Sequence, residues 1–126
     1  MSYTVKIEFK EEYLHVKVEG KNTLENVLGY FNDVYDACLQ YHCSNVLIEE
    51  NLTGSNLDTF EIFEVITKNF TKAKTIGARL AYVDLNTAHN KRGLKFAENL
   101  AHIRGVNVEL FYETSAALHW LLNKKK

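Results

Sequence analysis

The feature that most constrains the fold is a change of hydrophobic period along the chain. Two early segments, YTVKIEF (3–9) and YLHVKVEG (13–20), alternate apolar and polar residues and are separated by only a few residues. Period two is typical of strands with one buried face, so these segments predict an antiparallel hairpin. From residue 23 onward, segments with apolar residues every three or four positions alternate with short apolar runs. We therefore expect helices and strands in turn.

The predicted order is β-β-α-β-α-β-α-β-α, an α/β fold with one domain over residues 1–126. Strands separated by helices favour a mainly parallel mixed sheet with helices packed on it. The N-terminal β-hairpin then places one antiparallel strand at or near a sheet edge. A length of 126 residues suits a single core. The predicted strands are 3–9, 13–20, 45–50, 77–84 and 107–112, and the predicted helices are 23–42, 58–73, 87–104 and 114–123.

Capping residues predict where the helices begin. Thr23 is the expected N-cap of the first helix, and Asp58 with Glu61 three residues later predicts a capping box for the second. Thr114 or Ser115 is the expected cap of the last helix. Residues spaced by three and four predict the buried stripe of the first helix. That stripe comprises Leu24, Val27, Leu28, Phe31, Val34, Tyr35, Cys38 and Leu39.

Composition indicates an ordinary globular protein, with 46% hydrophobic and 25% charged residues. The longest apolar runs are only a few residues, so no membrane span is predicted. The first ten residues alternate and do not form a basic region followed by an apolar block, so we expect no signal peptide. Cys38 and Cys43 are too few for a disulfide framework. They predict reduced thiols in a cytoplasmic protein.

The net charge of −1 conceals an uneven distribution. Residues 11–64 hold 11 acidic and 2 basic side chains, a balance of −9, whereas residues 65–126 hold 4 acidic and 11 basic ones, a balance of +7. The simpler interpretation is a folded domain whose acidic and basic flanks offset each other. The alternative is a bipolar surface that docks a charged partner or a second copy. A nucleic-acid partner is not predicted, because no dominant basic face with interleaved aromatic residues is seen.

The motifs of several enzyme classes are absent from the sequence. Neither GxGxxG nor GxxxxGK[ST] occurs, so nucleotide chemistry is not expected and no cofactor is predicted. His42 lies between Cys38 and Cys43, but Cys38 belongs to the buried stripe and no metal site is predicted. Glu49 and Glu50, at a strand end, could serve as an acid or base in a pocket with a second polar group. A strand end that meets solvent is the simpler explanation, and the chain is predicted not to be an enzyme.

Four stretches together resemble a known family. They are LHVKVEG (14–20) leading into Thr23, NVLIEENLTGSNLD (45–58), ARLAYVD (78–84) and RGVNVELFYETSAALHWL (104–121). A hairpin, a long first helix, a strand with an acidic end and a loop that caps the second helix resemble the STAS fold of anti-sigma-factor antagonists. The closer resemblance is to the SpoIIAA-like family of STAS-related bacterial proteins. It covers nearly the whole chain and implies a STAS/SpoIIAA-like fold in a regulatory protein.

The resemblance also implies a switch position. In phosphorylatable STAS proteins a serine lies just after the third strand, in an Asp-Ser-Ser-Gly-like stretch, where this chain has TGSNLDT (53–59). Ser55 and Thr59 are the residues of this chain that could correspond to the phosphorylated serine, although the motif itself is not matched. Free amides at a helix N-terminus would favour a phosphate, and neighbouring carboxylates would repel it. The alternatives are a turn former for Ser55 and a first-turn helix residue for Thr59.

Two functional hypotheses follow. The first is a non-catalytic protein-interaction module that docks a protein partner, or forms a homodimer, through loop 50–59 and the following helix. The second is a small-molecule or lipid-binding domain with an apolar cavity at one sheet end. Exposed rings of Phe60, Phe63 and Phe70 would favour docking, whereas rings around a cavity would favour an apolar ligand. The candidate contact residues are Glu49, Glu50, Thr53, Asn56, Phe60 and Phe63.

Overall fold

The computed structural model describes residues 3–87, 89 and 91–123, and these residues form the predicted succession of strands and helices. None of the helices in these ranges has the length and apolar character needed to cross a membrane. The strands are β1 (Tyr3–Phe9), β2 (Leu14–Lys21), β3 (Asn45–Thr53), β4 (Arg79–Asp84) and β5 (Asn107–Phe111). The helices are α1 (Leu24–Tyr41), α2 (Thr59–Ile76), α3 (Lys91–Ile103) and α4 (Thr114–Leu122).

The five strands form one mixed sheet in the order β1-β2-β3-β4-β5. β1 pairs with β2 in antiparallel orientation, and the remaining neighbours are parallel. This arrangement confirms the prediction of a mainly parallel mixed sheet with the hairpin at one edge. The crossovers from β2 to β5 proceed in one direction, so α1, α2 and α3 cover one face of the sheet. α4 packs on the opposite face, against β3, β4 and β5.

The two faces of the sheet have separate cores because side chains alternate along each strand. The three-helix face holds the larger core, in which Tyr30 of α1 packs with Val16 of β2 and Ile48 of β3. All three side chains are fully buried. The smaller core lies under α4. It consists of Leu47, Ala81, Val83, Ala117 and Leu121, with Tyr13, Phe111, Leu118 and Trp120 packed against it.

The structure confirms two predicted helix caps. Thr23 accepts a hydrogen bond from the Asn26 amide at 3.1 Å. Asp58 and Glu61 form a reciprocal capping box, with hydrogen bonds of 2.8 and 3.0 Å between side chains and backbone amides. A lost cap of this type typically weakens a helix by about 1 kcal/mol. The capping box therefore fixes the residue at which α2 begins, and with it the length of the turn between β3 and α2.

Several details differ from the sequence-based expectations. β3 continues to Thr53, beyond its predicted end at residue 50, so Glu49 and Glu50 lie inside the strand and residues 50–53 of the predicted loop are strand. α2 continues to Ile76, beyond its predicted end at residue 73. The N-cap of α4 is Glu113, not Thr114 or Ser115, because the Thr114 hydroxyl donates instead to Glu49 of β3. Leu39 belongs to the predicted stripe of α1 but is 60% exposed, although Ala37 and Cys38 in the same turn are buried. α3 begins at Lys91, and residues 88 and 90 of the longer predicted helix lie outside the described residues.

Candidate functional site

A cavity of about 110 Å³ lies where β3 and β4 end, between the sheet and helices α1, α2 and α3. In open sheets with parallel strands, ligands commonly bind at the carboxyl ends of the strands. The wall is mostly apolar and includes Phe31 of α1 and Ile62, Val65 and Ile66 of α2. Polar side chains enter from the strand ends, the loops and α3. They are Asn22, Glu50, Asn56, Tyr82, Asp84, His89 and Glu98.

Glu50 is the most unusual of these polar groups. It faces the three-helix core because strand alternation places it on the same side of β3 as Ile48, and only 4% of its surface is exposed. Its carboxylate accepts hydrogen bonds from the hydroxyls of Tyr30 and Tyr82, one at each oxygen. An acid at this depth requires such partners, since an isolated buried charge is very costly.

The burial of Glu50 changes its acidity. Burial raises the pKa of Glu50 from 4.5 to about 7, the hydrogen bonds from Tyr30 and Tyr82 oppose this rise, and the neighbouring Asp84 adds to it. Burial also raises the pKa of both tyrosine hydroxyls well above their usual value, so the hydroxyls stay protonated and able to donate. Glu50 can therefore hold or release a proton near neutral pH.

Asp84 and His89 form a second polar pair beside Glu50. Asp84 is aligned with Glu50 on the adjacent strand, so both carboxyl groups project toward the same face. His89 Nδ1 lies 2.7 Å from Asp84 Oδ2, and both side chains are at least 98% buried. His89 Nε2 lies 2.9 Å from the carbonyl oxygen of Gly54. Gly54 has a φ of 98°, a left-handed value that favours glycine, so the turn can direct its carbonyl to the imidazole.

Asparagine side chains connect the loops around the cavity. Asn86 donates from Nδ2 to the Leu52 carbonyl at 2.7 Å, and its own amide donates to Asp84 Oδ1 at 3.0 Å. Asn22 donates from Nδ2 to the Ser55 carbonyl at 2.9 Å. These bonds join the segment after β4 to the end of β3, and the segment after β2 to the turn after β3. The polar end of the cavity is consequently held by three separate parts of the chain.

Glu98 of α3 supplies the third carboxyl group of the cavity. Its oxygens accept from Lys95 Nζ at 2.6 Å and from the Leu110 amide at 2.7 Å. Burial acts to raise the pKa of Glu98, but the hydrogen bonds from Lys95 and Leu110 outweigh burial and lower it. Glu98 therefore remains a carboxylate and ties α3 to β5 beside the apolar wall.

Glu49, the neighbour of Glu50, occupies the opposite face of the sheet. Its carboxylate accepts from the Thr114 hydroxyl at 2.5 Å and lies 2.7 Å from His15 Nε2. Burial acts to raise the pKa of Glu49, but the hydrogen bonds from Thr114 and His15 outweigh it and hold the pKa below its usual value. These contacts attach the start of α4 to the sheet. Glu49 thus supports the fold and does not line the cavity.

The structure separates the remaining predicted contact candidates. Asn56 lines the cavity with Glu50. Thr53 is exposed, and its hydroxyl donates to the Gly20 carbonyl at 3.2 Å. Phe60 and Phe63 are 70% and 42% exposed and, like Phe70, are not among the residues that line the cavity, so by the criterion given above the positions of these rings favour docking. Of the six candidates, therefore, two belong to the cavity, two lie on the surface of α2, and Glu49 and Thr53 make contacts elsewhere.

The two predicted phosphorylation candidates lie at the surface near the cavity. Ser55 is exposed in the turn between β3 and α2, and Thr59 is the exposed first residue of α2. The backbone carbonyl of Ser55 accepts a hydrogen bond from Asn22, which agrees with a turn-forming role. Phosphorylation of either residue stays a prediction.

Sequence reasoning missed most of the polar residues of the cavity. Tyr30 stands three residues after Val27, so the helical period could have placed it in the buried stripe. Asp84 and Glu50 each end a predicted parallel strand, and this shared position could have indicated that their side chains lie close together. Tyr82 precedes Asp84 by two residues on the same strand and therefore shares its face. His89 gave no such signal, because its contacts depend on a loop 35 residues away.

The cavity lining limits the chemistry available there. The described lining residues include no serine, threonine, cysteine or lysine that could act as a nucleophile. Within residues 3–87, 89 and 91–123, no group of three or more His, Cys, Asp and Glu side chains is arranged to hold a metal ion. Comparison with known families and with curated proteins identified no match for the chain.

Proposed function

We propose that this protein binds a small, mostly apolar molecule in the cavity, with the polar end of the molecule toward Glu50. The observation that carries the proposal is an ionisable carboxyl group, 4% exposed, at the polar end of an apolar cavity. Burying a charge opposes folding, and natural proteins tolerate such costs mainly where function requires them. The location at the ends of parallel strands also fits a ligand site.

The volume of the cavity sets the size of the ligand. A dry cavity of about 150 Å³ in another protein accommodates benzene. The present cavity, at about 110 Å³, suits a smaller body or one whose remainder extends toward solvent. We propose binding without catalysis, because the carboxyl groups of Asp84, Glu98 and Glu50 are held by hydrogen bonds within the fold and the described lining contains no serine, threonine, cysteine or lysine.

Filling the cavity is expected to abolish ligand binding. Ala97 of α3 lines the cavity, and Ala97→Leu adds a branched side chain there. We expect some members of a panel of hydrocarbons, alcohols, amines and carboxylic acids, each with about four to eight non-hydrogen atoms, to raise the wild-type melting temperature by mass action. Circular dichroism should show no such rise for Ala97→Leu.

The matched control is Ala116→Leu, the same substitution at an exposed position of α4. It should respond to the panel as the wild type does. If no compound stabilises the wild type, or if Ala97→Leu responds equally, the proposal of a ligand site is wrong.

A second candidate function is protein docking through α2, as the SpoIIAA-like resemblance implies. The observation that favours it is the exposure of Phe60 and Phe63, which lie three residues apart on one side of the helix. The Arg104 guanidinium lies 5.7 Å from the Phe63 ring centre and adds a positive charge to this surface. We propose the STAS relationship, the cytoplasmic location and the use of loop 50–59 as parts of this second function.

Removing the exposed ring tests the docking function. Phe60→Ser should release a protein partner that wild type retains in affinity purification, because exposed aromatic rings often dominate such contacts. Leu39→Ser is the control, since Leu39 is 60% exposed on α1. If both variants retain the same partners as the wild type, docking through Phe60 is contradicted.

A further inference from the structure

The charges around the cavity indicate which polar group a ligand would carry. Apart from the phenol of Tyr82, the described lining carries four acidic or basic side chains, and three of them are carboxylic acids: Glu50, Asp84 and Glu98. The fourth is the imidazole of His89, and no lysine or arginine is among the described lining residues. An anionic ligand would therefore meet charges of its own sign, and a cation would meet the opposite sign.

The three acids differ in how their charges are offset. Asp84 faces the imidazole of His89, a base that carries a positive charge when protonated, at 2.7 Å, and Glu98 faces the ammonium group of Lys95 at 2.6 Å. Glu50 instead accepts hydrogen bonds from two neutral tyrosine hydroxyls. Hydroxyls stabilise a carboxylate without neutralising its charge. Of the three acids, Glu50 is consequently the one that would gain most from a cationic ligand.

Glu50 also retains the capacity to accept further hydrogen bonds. A carboxylate offers about four lone-pair sites, and Tyr30 and Tyr82 occupy one on each oxygen. The remaining sites can accept from a primary ammonium group, which carries three N–H donors. The apolar wall formed by Phe31, Ile62 and Ile66 would then surround the hydrocarbon part of the same molecule.

We propose that the cavity selects a small organic cation, a primary amine with a compact hydrocarbon body, whose ammonium group binds the Glu50 carboxylate. This inference rests on the proposed ligand-binding function and adds the charge of the ligand to it. The body is limited to a few carbon atoms by the volume of about 110 Å³. Binding would supply Glu50 with the cationic partner that its tyrosine neighbours do not provide.

The test uses three probes with the same branched body and different head groups: isobutylamine, isobutanol and isobutyrate. Each is titrated into isotopically labelled protein at about pH 8, above the Glu50 pKa of about 7, and amide chemical shifts give the affinity. We expect isobutylamine to bind at least about tenfold more tightly than the other two, because only its ammonium group adds the attraction of opposite charges to a hydrogen bond with the Glu50 carboxylate. The shifts should occur at residues of the cavity.

Glu50→Gln and Glu49→Gln form a matched pair for this test. Both remove one negative charge from β3, but only Glu50 lines the cavity. The amine preference should disappear in Glu50→Gln and persist in Glu49→Gln. Equal or tighter binding of isobutanol or isobutyrate by the wild type would overturn the inference and leave the proposed ligand site standing. If none of the probes shifts the cavity residues, both the amine selectivity and the proposed ligand site are contradicted.

Discussion

Glu50→Gln is expected to stabilise the protein at about pH 8 and to leave its stability nearly unchanged at about pH 5. Burial raises the pKa of Glu50 from 4.5 to about 7, so the folded chain holds the proton more tightly than the unfolded chain. The stability of the wild type therefore falls as the pH rises from about 4.5 to 7, by about 3 kcal/mol for this group. Glutamine has the same shape and no charge, so this loss disappears.

The hydroxyls of Tyr30 and Tyr82 can accommodate the amide, because each hydroxyl both donates and accepts. Urea denaturation of wild type and variant across the pH range measures the effect. Since the other titrating groups are shared, the difference between the two proteins isolates Glu50. A variant that is less stable than the wild type at about pH 8 would contradict the buried, destabilising role assigned to Glu50.

Glu49→Gln is the control, and it should change the free energy of unfolding in the opposite direction from Glu50→Gln. Its carboxylate is bonded to Thr114 and lies beside His15, and its folded-state pKa is lowered. Stability from Glu49 is thus present above the unfolded pKa of 4.5 and is lost as the pH falls through the lower folded-state value. The substitution should therefore destabilise the protein at neutral pH, by about 1–3 kcal/mol for hydrogen bonds to a charged group.

His89→Ala is expected to be the most destabilising single substitution near the cavity, at about 3–5 kcal/mol. It leaves the Asp84 carboxylate, whose side chain is 1% exposed, without the ring nitrogen that lies 2.7 Å away. The loss of this partner acts together with a second effect. Asp84 is aligned with Glu50 on the adjacent strand, so its uncompensated negative charge also opposes the ionisation of Glu50. The contact between His89 and the Gly54 carbonyl is lost as well. Urea denaturation at neutral pH measures the change in the free energy of unfolding.

A second substitution separates lost charge compensation from lost packing. In the double variant His89→Ala with Asp84→Asn, no buried carboxylate remains at residue 84. We expect the double variant to be more stable than the sum of the two single changes predicts, by about 1–3 kcal/mol. Strict additivity, or a loss below about 1 kcal/mol for His89→Ala alone, would show that the pair is not a coupled buried unit.

Much of the fold follows from local sequence patterns. Alternation in β1 and β2 predicts the hairpin, and the capping box of Asp58 and Glu61 marks the start of α2. The strands separated by helices predict the parallel part of the sheet, which the structure has. These features depend on residues that are close in sequence, so a pattern can reveal them.

The candidate site was less predictable because it depends on distant contacts. Glu49 and Glu50 are consecutive acids, and their different roles result from which face each side chain occupies. The packing of α1, α2 and α3 makes one face a cavity, and the packing of α4 makes the other face a contact with Thr114. His89 gains its role from Asp84 and from Gly54, 35 residues earlier in the chain. Such juxtapositions arise from the tertiary fold, and no local period encodes them.

Chemical-shift mapping with isobutylamine shows whether an amine binds in the cavity. We predict that amide signals of Glu50, Tyr82 and Ala97, which belong to the cavity, move in a saturable manner. Signals of Glu49 and Thr114, on the opposite face, should stay in place. Saturable shifts confined to the opposite face, or no saturable shift at the cavity, would contradict the binding of an amine beside Glu50.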